Sequence, residues 1–295
     1  MNVLRTPDER FADLPGFAYG PRYVEVDGLR IHYVDEGAGP AVLLMHGEPT
    51  WAYLYRKMIP VLVDAGFRAI APDLVGFGRS DKPTEREDYT YQRHIDWMLG
   101  AIRQIDPKDV TFFGQDWGGL VGLRLVSAEP GRYARVVVSN TGLPLGDGRV
   151  GKAFMNWREF SQTTPEFPIG ALVSGGCATA KLTPEEIAAY DAPFPDDSYK
   201  EGARQFPVLV PISADDPIVP SQREAWRVFD AWDKPFLTAF GDSDPLTGGG
   251  DRIFQERVPG AKGQHHTTIA GGGHFIQEDK GEELARVIAD FIAAT

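Results

Sequence analysis

Hydrophobic residues first alternate with polar residues and then gather into short continuous runs. Residues 23–26 and 30–34 alternate on either side of Asp27-Gly28, which predicts an antiparallel hairpin with a tight turn. Four later runs are almost wholly apolar and rich in β-forming residues, a pattern typical of strands covered on both faces. These runs are residues 41–45, 68–71, 110–113 and 136–138.

Helical spacing of apolar side chains appears between those runs, in residues 51–65, 91–105 and 118–128. Alternation of strands and helices predicts a parallel sheet with right-handed crossovers, and the initial hairpin makes the sheet mixed. We therefore expect an α/β core that begins with an antiparallel hairpin.

The alternation stops after about residue 141. The following segment is rich in prolines and aromatic residues, and Thr183-Pro184-Glu185-Glu186 marks the start of a helix. Residues 143–213 are therefore interpreted as an inserted, mostly helical lid. Beyond the lid the pattern predicts a helix that opens with a capping box at 221–224, strands at 236–240 and 267–270, and a closing helix at 282–293.

Composition narrows the class of protein. The chain has 295 residues, of which 42% are hydrophobic, enough for a substantial core. Its formal net charge of -12 argues against nucleic acid or an anionic membrane as partner. With Cys177 as the single cysteine, no signal-like stretch at the N-terminus and no apolar run of membrane-spanning length, we expect a cytoplasmic protein, and a monomer by default.

The most informative motif is Gly114-Gln115-Asp116-Trp117-Gly118-Gly119, which follows a predicted strand and opens a predicted helix. It fits the G-x-nucleophile-x-G turn, with Asp116 where a hydrolase usually has serine. Such a turn is tight and needs small residues, and it lifts the side chain above the sheet at the positive end of the helix. The alternative is an ordinary strand–helix turn in which Asp116 caps the helix.

Two further segments supply the companions that a nucleophile needs. His46-Gly47-Glu48-Pro49 follows the first buried run, and in this architecture that turn lies beside the nucleophile. The backbone N–H groups of Glu48 and Trp117 are thus the predicted oxyanion donors, while His46 is expected to be structural. His274 lies in a glycine-rich loop after the last predicted strand, where the general base of this architecture arrives.

An acid is needed to orient the histidine. Gly241-Asp242-Ser243-Asp244 ends the strand at 236–240 and completes the chain order nucleophile, acid, histidine. The other possible location, after the preceding strand, holds Asn140, which cannot ionise. We choose Asp244, with Asp242 as the alternative in a surface loop.

These motifs together resemble the haloalkane dehalogenases of the α/β-hydrolase superfamily, in the branch whose acid follows the later strand. The resemblance covers nearly the whole chain, lid included. It implies an α/β-hydrolase fold, with a mostly parallel eight-stranded sheet flanked by helices in residues 1–142 and 214–295, and a helical cap in residues 143–213. The segments that carry it are HGEPTW at 46–51, GQDWGG at 114–119, GDSD at 241–244 and GGGHFIQE at 271–278.

The same resemblance implies a pair of halide-binding tryptophans. One directly follows the nucleophile and is Trp117 here. The other lies in the cap within a Phe-x-x-Trp pattern, which residues 154–157 match. Trp157 is therefore the expected second indole donor to the halide, and Phe154 an expected wall of the substrate pocket.

An aspartate nucleophile suits attack on saturated carbon. Its carboxylate can displace halide to give an ester that water cleaves, whereas serine would give a stable ether. His274 is needed only in the second step, to deprotonate water. The expected reaction converts a small halogenated alkane and water into a primary alcohol and halide through a covalent alkyl-aspartate ester. No cofactor or metal is expected, since His265-His266 lack the accompanying ligands of a zinc site.

The closest alternative is an epoxide hydrolase, which shares the aspartate and histidine. Such an enzyme usually has an aromatic residue where Glu48 stands and needs lid tyrosines, for which Tyr190 and Tyr199 are available. A haloacid dehalogenase would want arginines near the nucleophile, where Trp117 stands. A serine esterase lacks its G-x-S-x-G motif here, and a binding protein on this scaffold would tend to lose the catalytic residues.

Overall fold

The computed structural model describes residues 1–148 and 150–295. Within them the chain forms ten strands, ten α-helices and several short 3-10 turns. The strands are β1 (Val3–Leu4), β2 (Arg22–Val26), β3 (Leu29–Glu36), β4 (Ala41–Met45), β5 (Arg68–Pro72), β6 (Lys82–Pro83), β7 (Val110–Gln115), β8 (Tyr133–Ser139), β9 (Phe236–Gly241) and β10 (Thr267–Ile269). The helices are α1 (Ile59–Asp64), α2 (Tyr91–Ile105), α3 (Trp117–Ala128), α4 (Lys152–Thr163), α5 (Ile169–Gly175), α6 (Pro184–Asp191), α7 (Glu201–Leu209), α8 (Val219–Asp230), α9 (Asp251–Arg257) and α10 (Ile276–Ala294).

Eight of the strands form a single sheet in the order β10-β9-β8-β7-β4-β5-β3-β2. The pairs β2–β3 and β3–β5 are antiparallel, and every other pair is parallel. The predicted mixed, mostly parallel eight-stranded sheet is therefore confirmed. The hairpin turn lies at Asp27 and Gly28, which both have positive φ, as a tight two-residue turn requires.

The register of the central strands brings two loops together. Strands β4, β7 and β9 are buried along their whole length, as their continuous apolar runs predict. Met45 at the end of β4 pairs with Gly114 near the end of β7 in parallel register. The segments that follow these two strands therefore leave the same edge of the sheet side by side, which is where ligands bind in open α/β sheets.

Helices cover the sheet in two contacting groups. Helices α2, α3 and α8 contact one another, and α1 contacts α10. Helices α4 to α7 all lie between β8 and β9, in the segment interpreted from the sequence as a lid. Among the described residues, no helix combines the length and the hydropathy that a bilayer crossing requires.

Two local predictions are wrong for reasons of backbone chemistry. Residues 51–65 do not form one helix: a 3-10 turn at Ala52–Tyr55 is followed by α1. Pro60 lacks the N–H that a continuous helix would use, and it fits only in the first turn of a new helix. The capping box at 221–224 is also absent, because α8 begins two residues earlier and the Ser221 hydroxyl donates to the carbonyl of Ile218. The capping box at Thr183 and Glu186 is confirmed.

The start of α3 packs directly against the end of β4 through Gly118. A side chain at this position would overlap the carbonyl group of Met45, which is backbone and cannot rotate away. Helix α3 can therefore approach the sheet only because residue 118 is glycine. This contact joins the turn between β7 and α3 to the loop that follows β4.

We predict that Gly118→Ala lowers the free energy of unfolding by about 3 kcal/mol, because the added methyl group must displace backbone. The control is Gly131→Ala, where a methyl group would meet no heavy atom within 4 Å, and we expect a change within about 0.5 kcal/mol. Urea denaturation of the two variants and the wild type measures both quantities. Equal midpoints for all three proteins would contradict the proposed packing constraint.

Candidate active site

Asp116 occupies a strained turn between β7 and α3. Its backbone has φ 51° and ψ -130°, a conformation that residues other than glycine rarely adopt. The turn is held from below, since the Asp116 N–H donates to the carbonyl of Asn140 at 3.0 Å and Thr141 Oγ1 donates to the Asp116 carbonyl at 2.7 Å. The carboxylate is thereby lifted off the sheet and remains one-fifth exposed within a cavity.

The backbone N–H of Glu48 donates to Asp116 Oδ1 at 2.8 Å. Trp117, whose N–H is the other predicted oxyanion donor, is the first residue of α3, where backbone N–H groups have no acceptor within the helix. The structure thus places one of the two predicted donors, the Glu48 N–H, in direct contact with the carboxylate, while Trp117 begins the helix that follows it. Asp116 Oδ2 is left to face the imidazole.

His274 lies in the loop between β10 and α10, opposite Asp116. Its Nε2 is 3.5 Å from Asp116 Oδ2, and its Nδ1 is 3.1 Å from Asp244 Oδ2. Burial disfavours the imidazolium, but the carboxylates of Asp244 and Asp116 outweigh burial and raise the pKa of His274 to about 10. The imidazole is therefore charged while both carboxylates are charged.

The structure brings Asp244, and not Asp242, to the histidine. Asp244 is buried and also accepts hydrogen bonds from the Leu246 N–H at 2.9 Å and from the Thr247 hydroxyl. Burial would raise the pKa of Asp244, yet its contact with His274 and these two donors hold it below the ordinary value. Asp242 is exposed and accepts from Ser243 and from the Gly271 N–H on the outer side of the loop.

Asn140 and Gln115 hold the histidine loop, a role that the sequence did not suggest. Asn140 Nδ2 donates to the carbonyl of Gly273 at 2.7 Å, and its Oδ1 accepts from the Gly241 N–H at 2.8 Å. Gln115 Nε2 donates to the carbonyl of His274 at 2.9 Å. The only available signal was position, since each amide stands at the end of a strand beside the turn that holds Asp116.

The two tryptophans line one cavity together with Asp116 and His274. The Trp117 ring packs against Tyr91 and Phe206, with centroid distances of 4.9 and 4.4 Å. Trp157 lies on α4, and its ring stacks on those of Phe160 and Phe167. Phe154 lies one helical turn before Trp157 and lines the same cavity.

The cavity has a volume of about 1070 Å³ and lies between the loops of the sheet and helices α4 and α5. Apolar side chains dominate its walls, and Glu48, Asp116 and His274 line the same cavity. These walls include Leu120, Leu143, Leu172, Val210, Leu246 and Phe275.

The side chain of Glu48 is a site feature that sequence reasoning missed, because only its backbone was given a role. The residue is 3% exposed, and its Oε1 has no hydrogen-bond partner among the described residues. Burial raises the pKa of Glu48 well above its ordinary value, and the Asp116 carboxylate raises it further, while His274 and the Trp157 indole oppose the shift. Burial therefore favours the neutral form of this carboxyl group.

Comparisons with known proteins identify the relatives of this chain. A family model described as the α/β hydrolase fold matches residues 40–281. A haloalkane dehalogenase of Psychrobacter cryohalolentis is 57% identical over 99% of this chain and 98% of that protein. One of Mycobacterium marinum is 50% identical over 98% of this chain and 99% of that protein. The solved tetrameric structure of haloalkane dehalogenase DpaA from Paraglaciecola agarilytica superimposes with a TM-score of 0.89 and 39% identity, covering 97% of each chain.

We predict that Glu48→Gln leaves kcat for halide release unchanged within about threefold. Glutamine has the shape of the neutral acid, and the substitution keeps the backbone N–H that contacts Asp116. Steady-state halide release at neutral pH measures the effect. A loss of tenfold or more with unchanged stability would mean that the site needs Glu48 as a charged carboxylate.

Proposed function

The chain belongs to the haloalkane dehalogenase family of the α/β-hydrolase superfamily and hydrolyses the carbon–halogen bonds of haloalkanes, and we propose that Asp116, His274 and Asp244 carry out the reaction. The observation that carries this assignment is the position of one carboxylate between a backbone N–H and an imidazole. Asp116 Oδ1 meets the Glu48 N–H at 2.8 Å, while Oδ2 faces His274 Nε2 at 3.5 Å.

In the first step Asp116 Oδ2 attacks the carbon that bears the halogen. A carbon–oxygen bond forms, the carbon–halogen bond breaks, and the halide leaves with the bonding electrons. The carboxylate needs no base, because it is already a nucleophile. Its other oxygen stays fixed by the Glu48 N–H, which orients the attack.

The halide departs into an apolar cavity and needs donors there. The indole N–H groups of Trp117 and Trp157 belong to rings that line this cavity, one from the start of α3 and one from α4. Neutral N–H donors stabilise the anion without forming an ion pair that would retain it. A neutral Glu48 suits the same need, since an ionised carboxylate beside Trp157 would repel the halide.

In the second step His274 Nε2 takes a proton from water, and the water oxygen attacks Cγ of the Asp116 ester. The Glu48 and Trp117 N–H groups stabilise the resulting oxyanion. The intermediate collapses with cleavage of the bond between Cγ and the alkyl oxygen. The departing alkoxide takes the proton from His274, and the carboxylic acid of Asp116 ionises again.

Alkylation itself makes the histidine available as a base. While Asp116 is charged, Asp244 and Asp116 together raise the pKa of His274 to about 10. Esterification removes the charge of Asp116 and leaves only Asp244, so the pKa of His274 falls toward its ordinary value. The order of the two steps therefore follows from electrostatics as well as from covalent chemistry.

Epoxide hydrolysis is less compatible with the cavity. That reaction needs phenol groups to protonate the opening ring, and no tyrosine is present among the described lining residues. Of the two cap tyrosines that the sequence offered, Tyr190 is fully buried and donates instead to Glu278.

We propose that residues 143–213 fold as a cap over a core formed by residues 1–142 and 214–295. The monomeric state and the cytoplasmic location remain predictions, and a tetramer is described for the Paraglaciecola agarilytica relative. Sedimentation equilibrium distinguishes a monomer from such a tetramer.

We predict that His274→Ala releases about one halide per enzyme from bromobutane and then stops, because alkylation needs no base and ester hydrolysis does. A rapid-quench halide assay measures the burst, and intact-protein mass followed by peptide mapping places a butyl group on Asp116. Absence of both halide burst and adduct would contradict this division of labour.

Parallel incubation of the wild type with an epoxide is expected to give no diol. Formation of diol without halide release from bromobutane would favour an epoxide hydrolase.

We predict that hydrolysis of the ester, but not its formation, accelerates as pH rises through the pKa that His274 has in the alkylated enzyme. Only neutral imidazole accepts the proton of water. Because the ester has lost the charge of Asp116 while Asp244 keeps its own, the pKa of His274 in the alkylated enzyme should lie between the ordinary 6.5 and the value of about 10 in the free enzyme. Single-turnover halide release reports alkylation, and decay of the mass adduct reports hydrolysis. NMR titration of the free enzyme is the control, and a His274 that titrates near 6.5 there would contradict the coupling.

A further inference from the structure

Asp279 connects the histidine loop to the cap. It lies in the first turn of α10, five residues after His274, and is partly exposed. Its carboxylate accepts three consecutive backbone N–H groups of residues 178–180, at 2.9, 2.7 and 2.6 Å. The same carboxylate accepts the N–H of Gly273 at 2.8 Å. One side chain thus binds both a cap loop and the residue that precedes the general base.

The two loops that Asp279 joins are also in direct contact. The His274 N–H donates to the carbonyl of Gly176 at 3.0 Å. A Cβ on Gly273 would lie 2.6 Å from the backbone nitrogen of Ala178, and a Cβ on Gly176 would lie 2.5 Å from the ring of Phe275. The loops approach so closely that neither position accommodates a side chain, so a shift of one loop must move the other.

The backbone of His274 is held differently on its two sides. Its carbonyl accepts from Gln115 at 2.9 Å and from Asn140 at 3.3 Å, both at the ends of core strands. Its N–H is held by the carbonyl of Gly176 in the cap loop. The orientation of the imidazole therefore depends on where the cap loop lies, and the position of that loop depends on Asp279.

We propose that Asp279 is a positioning residue that locks the cap loop to the histidine loop, so that His274 reaches the water that attacks the ester. This inference rests on the two-step reaction proposed above. Burial would raise the pKa of Asp279, but the backbone donors of residues 178–180 and of Gly273 hold it below its ordinary value. The carboxylate therefore remains ionised through the neutral range, as an acceptor of several N–H groups must.

The role predicts an effect on one chemical step only. Alkylation by Asp116 uses no base, whereas hydrolysis needs His274 in place. A loose histidine loop should therefore slow hydrolysis and let the ester accumulate. A residue that merely stabilised the fold would not change the balance between the two steps.

The test compares Asp279→Asn with Glu282→Gln, using bromobutane as substrate. Asparagine keeps the size of the side chain but loses the charge and presents an amide N–H₂ to backbone donors. Glu282 is the matched control, because it lies on the same helix, is exposed and, within the described part of the chain, forms an ion pair only with Arg286 at 3.6 Å. Rapid-quench halide release gives the alkylation rate, and the mass adduct on Asp116 gives the rate of ester decay.

For Asp279→Asn we expect alkylation within about twofold of the wild type and ester decay slower by about tenfold or more, as small displacements of a reacting group cost that much. The adduct should dominate in the steady state, while Glu282→Gln should match the wild type in both steps. Equal rates in Asp279→Asn and the wild type would overturn the proposal, as would equal slowing of both steps. If Asp279→Asn fails to fold, Asp279→Glu keeps the charge, displaces the carboxylate and is judged by the same two rates. Failure of the wild type to release halide would instead contradict the proposed function.

Discussion

The strained turn at Asp116 is the constraint on which the rest of the site depends. A positive φ at a residue with a side chain is unfavourable by about 1–3 kcal/mol and persists only where the surroundings enforce it. Here the enforcement comes from β7 beneath the turn and from Gly118, which lets α3 meet the end of β4. The same approach of α3 to β4 brings the Glu48 N–H to the Asp116 carboxylate. In the proposed reaction, this strained turn fixes the direction from which the Asp116 carboxylate attacks.

A buried cluster of ionisable groups can exist only if its charges are matched. Asp116 and Asp244 both contact His274, and together they keep it as imidazolium, so that each carboxylate has a cationic neighbour. A third charge in the same cavity would have no such partner, and burial together with the Asp116 carboxylate raises the pKa of Glu48, which favours its neutral form. In the proposed reaction, esterification of Asp116 removes one negative charge, so the imidazole loses its proton more easily. The charge distribution in the cavity would then change with each step of that reaction.

Sequence alone predicted the parts of this arrangement that are local. A buried strand, a tight turn and a helix are adjacent in the chain, so the position of Asp116, the loop of Glu48 and the alternation of strands and helices could be inferred from short segments. The continuous helix at 51–65 was wrong because one residue, Pro60, outweighed a regular apolar pattern. The carboxyl group of Glu48 and the bridge made by Asp279 could not be foreseen, since both depend on contacts between segments far apart in the chain.

Two positions in the fold could hold the acid that orients His274, and contacts between distant segments decide between them. Asn140 stands where the acid could follow β8, but its amide must both donate to the Gly273 carbonyl and accept from the Gly241 N–H. An ionised aspartate has no N–H to donate, and it would place a charge against the Gly273 carbonyl oxygen. The amide therefore ties the histidine loop to β9, and the proposed acid, Asp244, follows β9, where it has donors for its own oxygens. Asn140, which follows β8, thus holds the histidine loop, whereas Asp244, which follows the neighbouring strand β9, stabilises the positive charge of the imidazole.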